Sequence, residues 1–533
     1  MGLSSLATSP AAVHWLRERG VRGLASDSRR VAPGDAFVAW PGTAHDARRF
    51  VRDALGSGAR ACLVEERGAG AFDWEGLQGV ASMLDLKRHA GVIASAFLGE
   101  PSRQLTMLAV TGTNGKTSTA WWTAQALAAL GRRCGVIGTL GSGVPPLPDG
   151  PAADRSADGV AGTAATLSAP GLTTPDPIAL HTTLRVFVQQ GLTACAIEAS
   201  SIGLAEHRLN GVHLDVAMFT NLTQDHLDYH GTMQAYAQGK ARLFDWPGLS
   251  AAVINLDDAY GAALADRLHD SAVALWSYST RREARLRARD IRYRECDGGL
   301  GFDLFEGATR ARVQTCLIGH YNVSNLLAVV GALRSMGIPL VDAARACASL
   351  MPVPGRMQRI GAAAAQDGSA GPAVPDGPAG PVAPAVVVDY AHTPDALDKA
   401  LLALKPLARQ RGGRLWCVFG CGGNRDPGKR GLMGTLAARH AQQVVITSDN
   451  PRDEDPQAIV AQIAAGVPPQ AVAHVIVDRR AAIAHAVSSA ASADVILLAG
   501  KGHEDYQEVK GVKLPFSDLE EAQRCLQARS LQP

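Results

Sequence analysis

Residues 108–120 read LAVTGTNGKTSTA, a glycine-bearing loop between an apolar run and a helical pattern. The loop Gly112, Thr113, Asn114, Gly115, Lys116, Thr117, Ser118 has the make-up of a cradle for nucleotide phosphates. Gly112 and Gly115 let the backbone close on an anion, Lys116 reaches for the β- and γ-phosphates, and Thr117 offers a hydroxyl to Mg2+. The following TSTAWWTAQALAAL, ended by Gly131, reads as a helix whose N-terminus faces the phosphates. Val110 stands where the common phosphate-loop pattern has its first glycine. A strand–turn–helix with incidental glycines is the plainer alternative, and the loop alone says only that a nucleoside triphosphate binds.

A second group of chemically able residues lies downstream. Glu198 ends the apolar run ACAI; Asp225, His226, Asp228 and His230 follow VAMFTNL; Lys240 stands ten residues beyond His230. Taken singly, a strand-end glutamate is a helix cap, a histidine cluster a hydrogen-bonded turn, and a lysine a solvated charge. Beside a phosphate loop they gain another meaning, because Glu198 and His226 are donor types that suit magnesium held by a triphosphate.

The elements that must position these groups follow from the pattern of apolar runs. At 533 residues the chain needs more than one core. TMLAV, CGVIGTL, ACAIEAS, VAMFTNL and AAVINLD alternate with helical stretches, which predicts βαβ units and a mostly parallel sheet. VVVDY, LWCVFG, QVVITSD and VILLAG begin a second such series from about residue 351. The expected class is α/β in three domains: an N-terminal substrate-binding domain at 1–104, a central phosphate-loop domain at 105–350 and a Rossmann-like C-terminal domain at 351–533. Functional loops in such sheets gather beyond the C-terminal strand ends. Residues 143–170 and 361–384, rich in Ala, Gly and Pro, read as inserted surface loops.

Composition sets limits. A net charge of +2 gives no basic field for nucleic acid or anionic membrane, no apolar run is long enough to span a bilayer, and the N-terminus lacks a secretory pattern. Nine scattered cysteines, with Cys417 and Cys421 lacking a second pair, argue against a zinc site and for a reducing, cytoplasmic setting.

Taken in order, TGTNGKTS, IEASS, NLTQDHLDYHGTM, GHYNVSN, GRMQ, DYAHTPDAL, GCGGNRDPGKR, DNPRDEDP and AGKGHEDYQE resemble the Mur ligases over about residues 26–518. The resemblance implies an ATP-dependent amide ligase acting in peptidoglycan precursor synthesis on a UDP-N-acetylmuramoyl dipeptide, through an acyl phosphate. It implies two Mg2+ ions near Thr117, Glu198 and His226, and a carbamate made from CO2 on Lys240 as a further ligand. Asn322, Asn325, Arg356, Asp389 and His392 match positions around ATP, so that domain closure completes the site. Ser28, Thr173, Thr174, Ser200, Arg208 and Lys240 match positions that hold the nucleotide sugar. Ser26, Ile202 and Glu206 depart from the family pattern there, and a carboxylate at 206 beside an anionic substrate is repulsive unless it meets a donor.

The resemblance also points to the incoming amino acid. In DNPR (Asp449, Asn450, Pro451, Arg452), the arginine fork suits the distal carboxylate of meso-diaminopimelate, with Arg425 in support. Glu504 and the Gly500 carbonyl suit the distal ammonium. Without the family match, DNPR reads as a helix-starting turn with an exposed arginine. The rivals are a lysine-adding Mur ligase, a folylpolyglutamate-synthase-type ligase and a nucleotide-gated switch. No nucleic acid and no membrane span is expected, and the chain is expected to act as a monomer.

Overall fold

The computed structural model describes residues 3–42, 45–146, 167, 171–294, 298–360 and 383–531. The Ala/Gly/Pro-rich stretches at 143–170 and 361–384 fall almost wholly outside the described residues. The described residues divide into two compact units. One comprises 3–146, 171–277 and 331–337, the other 278–294, 298–330, 338–360 and 383–531.

The first unit holds two sheets. Strands β1 (Ser4–Ser5), β2 (Leu24–Ala25), β3 (Ala36–Ala39), β4 (Ala61–Glu65) and β5 (Val80–Met83) form a parallel sheet in the order β1-β5-β4-β3-β2. Alternate residues feed two cores. Ala36, Val38 and Leu63 pack with Leu16, Ala90 and Ile93 of the helices Ser9–Glu18 and Leu86–Phe97. Phe37, Cys62 and Val64 pack with Val51 and Ala54 of the helix Val51–Gly56. A sheet covered on both faces explains why its strands are apolar throughout rather than alternating.

The central strands are β6 (Thr106–Thr111), β7 (Cys134–Gly138), β8 (Gly141–Gly143), β9 (Ala194–Glu198), β10 (Val216–Phe219) and β11 (Ala251–Asn255), followed in the chain by β12 (Ala274–Ser279). From β11 they run β11-β10-β6-β9-β7-β8, parallel except for β8. The chain leaves β6 toward β7 on one side and later returns to β10 on the other. That reversal opens a crevice beyond the C-terminal end of β6, and the phosphate loop lies there.

In the second unit an antiparallel meander, β13 (Leu286–Tyr293), β14 (Leu300–Glu306) and β15 (Thr309–Thr315), precedes a second α/β sheet. That sheet contains β16 (Gln358–Ile360), β17 (Ala385–Asp389), β18 (Leu415–Phe419), β19 (Gln443–Ile446), β20 (Ala473–Val475) and β21 (Val495–Ala499), ordered β16-β17-β21-β18-β19-β20. All its pairs are parallel except that of β16 with β17. Helices Pro394–Gln410 and Gly428–His440 cover one face through Leu401, Leu404 and Met433. Arg479–Ser489 and Asp518–Ser530 cover the other through Ile483 and Leu526. A hairpin, β22 (Tyr506–Val509) and β23 (Val512–Pro515), follows β21. Every apolar run named from the sequence is a strand, and the fold is α/β with mostly parallel sheets.

Candidate active site

The phosphate loop takes its shape from its glycines. Gly112 sits at φ +148° and Gly115 at +87°, and a Cβ on Gly112 would collide with Thr220 Oγ1. The helix Lys116–Ala129 starts at Gly115 with no side-chain cap, so its N-terminus faces the loop. The loop is braced from the β10 end. Asn221 Oδ1 accepts from Asn114 N–H at 2.9 Å, Thr220 Oγ1 donates to Asn114 O at 2.7 Å, and Thr113 Oγ1 donates to Thr223 O at 3.0 Å. Lys116 Nζ donates to the loop's own carbonyls, Gly112 O at 2.9 Å and Thr113 O at 2.8 Å. Ser118 is buried behind it. Val110 fits because it belongs to β6, fully buried, rather than to the loop.

Glu198 ends β9 beside this loop, buried to 1% exposure. Its Oε2 accepts from Thr117 Oγ1 at 3.0 Å, and its Oε1 accepts from Thr139 N–H at 2.7 Å. A Cβ on Gly138 would collide with Oε1, so the strand end at β7 is shaped around this carboxylate. The hydroxyl of Thr117 and the carboxylate of Glu198 are hard oxygen donors 3.0 Å apart, a pair that fits Mg2+. Among the described residues no three His, Cys, Asp or Glu side chains cluster to hold a metal. The expected set contains one carboxylate and one imidazole, so its remaining donors are hydroxyl, phosphate, water and the proposed carbamate.

A hydrogen-bonded chain runs from Glu198 through the expected nucleotide-sugar residues. Thr139 Oγ1 meets Thr173 Oγ1 at 3.2 Å. Thr174 Oγ1 donates to Glu198 O at 2.8 Å, Ser200 lies 2.9 Å from Thr174, and Arg208 Nη1 donates to Thr174 O at 3.0 Å. Glu206 meets donors: Lys87 Nζ forms an ion pair with it and Tyr229 OH donates to Oε1 at 2.5 Å. Burial opposes its charge, yet Lys87 and Tyr229 together hold the carboxyl below its ordinary pKa. Ser26, another departure, donates to Asp176 Oδ1 at 2.9 Å, and Asp176 in turn caps the helix Pro177–Gln189. Ser28 opens the turn Ser28–Arg30, where Asp27 accepts from Arg29.

Lys240 stands on the helix Met233–Ala241 at 1% exposure. Its Nζ donates to Gly112 O at 2.8 Å and lies 4.2 Å from the Tyr236 ring centroid. Burial, reinforced by the Lys116 ammonium, pushes its pKa well below the ordinary lysine value. His226 adopts φ +52° and pairs edge-to-face with Tyr236 at 6.1 Å. Burial lowers its pKa against the pull of Asp225, which favours a neutral ring able to act as a ligand.

In the second unit, the functional loops leave the C-terminal ends of β17, β18, β19 and β21, four neighbouring strands. Beyond β17, buried Asp389 accepts from Met357 N–H at 2.7 Å and Ala391 N–H at 2.8 Å. Burial raises its pKa while Arg356 draws it back. Arg356 lies 4.3 Å from the Tyr390 ring centroid and 3.3 Å from His503 Nδ1. His503 is pushed down to about 3, first by burial and then by Arg356, so it stays neutral beside the guanidinium. His392 is exposed, with Nδ1 2.8 Å from Tyr390 O. Asn322 and Asn325 are buried on the helix Tyr321–Ser335 and joined by a 2.9 Å hydrogen bond.

Beyond β19, DNPR is no helix-starting turn: the next helix, Pro456–Ala464, is capped by Asp455. Asp449, Asn450 and Pro451 are buried. Asn450 Nδ2 donates to Glu504 Oε2 at 2.8 Å, and a Cβ on Gly500 would stand 2.5 Å from Asp449 Oδ2. Arg425 is exposed, across Gly422 from Arg452. Sequence reasoning left Thr139, Asn221, Tyr236, Lys501 and Glu508 unassigned. Lys501, fully buried, places Nζ 3.1 Å from both Asn450 Oδ1 and Glu504 Oε2. It lies within AGKGHEDYQE, whose position beyond a strand end was the available signal.

The Mur ligase middle domain matches residues 110–333, and the Mur ligase, glutamate ligase domain matches residues 379–502. The chain is 51% identical over 534 residues, 99% of each protein, to the UDP-N-acetylmuramoyl-L-alanyl-D-glutamate--2,6-diaminopimelate ligase of Acidovorax sp. (strain JS42). It is 45% identical to the ligase of that name from Pseudomonas aeruginosa over 512 residues, 96% of each. A solved structure of a ligase of that name matches with a TM-score of 0.63 at 35% identity, over 96% of this chain and 95% of that one. Thermotoga maritima MurF in complex with ADP shares the fold, with a TM-score of 0.64 at 16% identity over 96% of this chain and 99% of that one. The chain belongs to the Mur ligase family.

Proposed function

We propose that this chain is an ATP-dependent ligase that joins meso-diaminopimelate to UDP-N-acetylmuramoyl-L-alanyl-D-glutamate in peptidoglycan precursor synthesis. One observation carries the choice of acceptor. Asp449, Asn450 and Arg452 stand beyond β19 and Glu504 beyond β21, with Asn450 bonded to Glu504 directly and to Arg452 by way of Glu508. They offer a guanidinium for the distal carboxylate and carboxylates for the distal ammonium. Relatives named for this reaction align over nearly the whole chain.

The γ-carboxylate of D-glutamate attacks the γ-phosphorus of ATP, ADP departs, and an acyl phosphate forms. An amine of diaminopimelate then attacks the acyl carbon, the tetrahedral adduct loses phosphate, and the amine gives up a proton as the amide forms. Lys116 turns from its loop carbonyls to the phosphate oxygens, and the first amides of the helix Lys116–Ala129 hold the same anion. Thr117, Glu198, His226 and a carbamate on Lys240 would hold two Mg2+ ions, which would supply positive charge to neutralise the transferring phosphoryl group. The carbamate arises when the Lys240 amine adds to CO2 and loses a proton. One N–H remains for Gly112 O, and the group gains an anionic oxygen. Asn322, Asn325, Arg356, Asp389 and His392 serve ATP, and Ser28, Thr173, Thr174, Ser200 and Arg208 serve the nucleotide sugar.

The domain boundaries are placed at about residues 104 and 350, from the sequence pattern. Among the described residues no helix is long and apolar enough to cross a membrane. The enzyme acts on these small molecules as a monomer in the cytoplasm. ADP release with the UDP-linked dipeptide tests the reading. Diaminopimelate supports turnover, whereas lysine, folate with glutamate, or no acceptor does not. Equal turnover with lysine or without an acceptor contradicts it.

A further inference from the structure

Arg452 is held in an unusual way. Its backbone lies at φ +52°, a left-handed conformation that a non-glycine residue keeps only when its surroundings impose it. The surroundings here are the hairpin β22–β23. Arg452 N–H donates to Glu508 O at 3.0 Å, and Lys510 N–H donates to Arg452 O at 2.8 Å. Glu508 N–H donates to Asn450 Oδ1 at 2.9 Å, and Gln507 Nε2 donates to Asp449 O at 2.6 Å. Three residues of the DNPR loop are thus fixed by a short segment more than fifty positions away.

The side chain is fixed from the same hairpin. Arg452 Nε donates to Glu508 Oε2 at 3.1 Å, and Nη1 donates to Gly423 O at 2.9 Å. A Cβ on Gly422 would stand 2.9 Å from Nη1, so the fork packs closely over this glycine. With Nε and one edge of Nη1 engaged, the outward Nη1–Nη2 edge is what the fork presents to a ligand. A guanidinium pinned at its inner edge loses little rotamer freedom when a carboxylate arrives.

We propose that Glu508 is a positioning residue for the choice of acceptor: it aims Arg452 so that the Nη edge meets the distal carboxylate of the incoming diamino acid. The inference rests on the reaction assigned above. Gln507 supports it by holding the Asp449 carbonyl, and neither residue touches a reacting atom.

The test uses the full chain with Glu508→Ala, Glu508→Gln and Gln507→Ala, measuring KM for each of the three substrates, kcat, and turnover with lysine. Glu508→Ala raises KM for diaminopimelate by about tenfold and narrows the preference over lysine, with KM for ATP and the UDP-linked dipeptide within about twofold of wild type. Glu508→Gln keeps an acceptor for Nε and falls between the two, which a merely structural role does not predict. Gln507→Ala shifts the same KM in the same direction, to a smaller extent. An unchanged KM for diaminopimelate in Glu508→Ala, or a parallel rise in all three KM values, overturns the inference. Wild-type turnover that ignores diaminopimelate overturns the reaction on which it rests, a separate outcome read from the unmutated protein.

Discussion

Glu206 places a negative charge among residues proposed to hold an anionic nucleotide sugar, and its partners decide whether that charge is felt. Lys87 and Tyr229 both donate to it, and Lys87 comes from 119 positions upstream. If Lys87 neutralises Glu206, Lys87→Met raises KM for the UDP-linked dipeptide about fivefold, and adding Glu206→Gln returns it to within about twofold. Failure of the second substitution to restore KM means that Lys87 contacts the substrate itself. Arg452 makes a complementary case. Arg452→Lys keeps the charge and loses the fork, so kcat/KM for diaminopimelate falls by about 2–3 kcal/mol while KM for ATP holds. Equal efficiency in that variant removes bidentate recognition from the account. Such candidates stand out in the sequence because they sit in short motifs: Lys116, Thr117, Glu198 and Arg452 at or just beyond strand ends, and Lys240 on a helix. Their helpers do not. Lys87 and Glu508 acquire their roles from tertiary neighbours, and neither carries a local signal.

At the scale of elements, position depends on a few braces. Arg479 is wholly buried at the start of the helix Arg479–Ser489, and the Asp518 carboxylate accepts from its Nε at 2.7 Å and its Nη2 at 2.6 Å. The same guanidinium donates to Ser448 O at 3.3 Å and Ala499 O at 3.0 Å, the residues just before Asp449 and Gly500. Asp518→Ala strands a buried cation and costs about 3–5 kcal/mol, which a urea midpoint measures. A loss under about 1 kcal/mol contradicts this role. The helix Pro177–Gln189 carries another dependence. His181 is buried with Nε2 3.0 Å from Asn210 O, and among the described residues its Nδ1 has no partner. Burial pushes its pKa from 6.5 down to about 4, so the unfolded chain takes up this proton first as pH falls. Its contribution is intact above about pH 6.5 and lost progressively toward pH 4, about 3 kcal/mol in all. His181→Gln keeps the donor to Asn210 O and removes the proton, so the variant loses less stability than wild type between about pH 7 and about pH 4.5. Parallel urea midpoints across that range contradict it. Strands such as β6, β9, β17 and β21 were legible because sheets buried on both faces require unbroken apolar runs. The order in which they pair was not, since no strand's sequence names its neighbour.

At the scale of the whole molecule, three sheets share one plan of mostly parallel strands, and the candidate site residues of the central and the last sheet gather largely beyond strand C-terminal ends. The α/β class followed from the alternation of apolar runs with helical stretches. The meander β13–β15 did not stand out, because LRARDIRY and TRARVQT carry arginine at many positions and lack a continuous apolar run. Asp303 explains how they pair: it accepts from Arg310 at 2.7 Å and Arg312 at 2.8 Å across the β14–β15 ladder. In the proposed reaction a carboxylate activated by phosphoryl transfer is captured by the amine of diaminopimelate. The most direct measurement labels both oxygens of the D-glutamate γ-carboxylate with oxygen-18 and follows the products by mass spectrometry in the presence of ATP and diaminopimelate. One label appears in inorganic phosphate and one stays in the new amide of the UDP-linked tripeptide. Phosphate free of label, or label transfer that yields no diaminopimelate-containing product, contradicts the account.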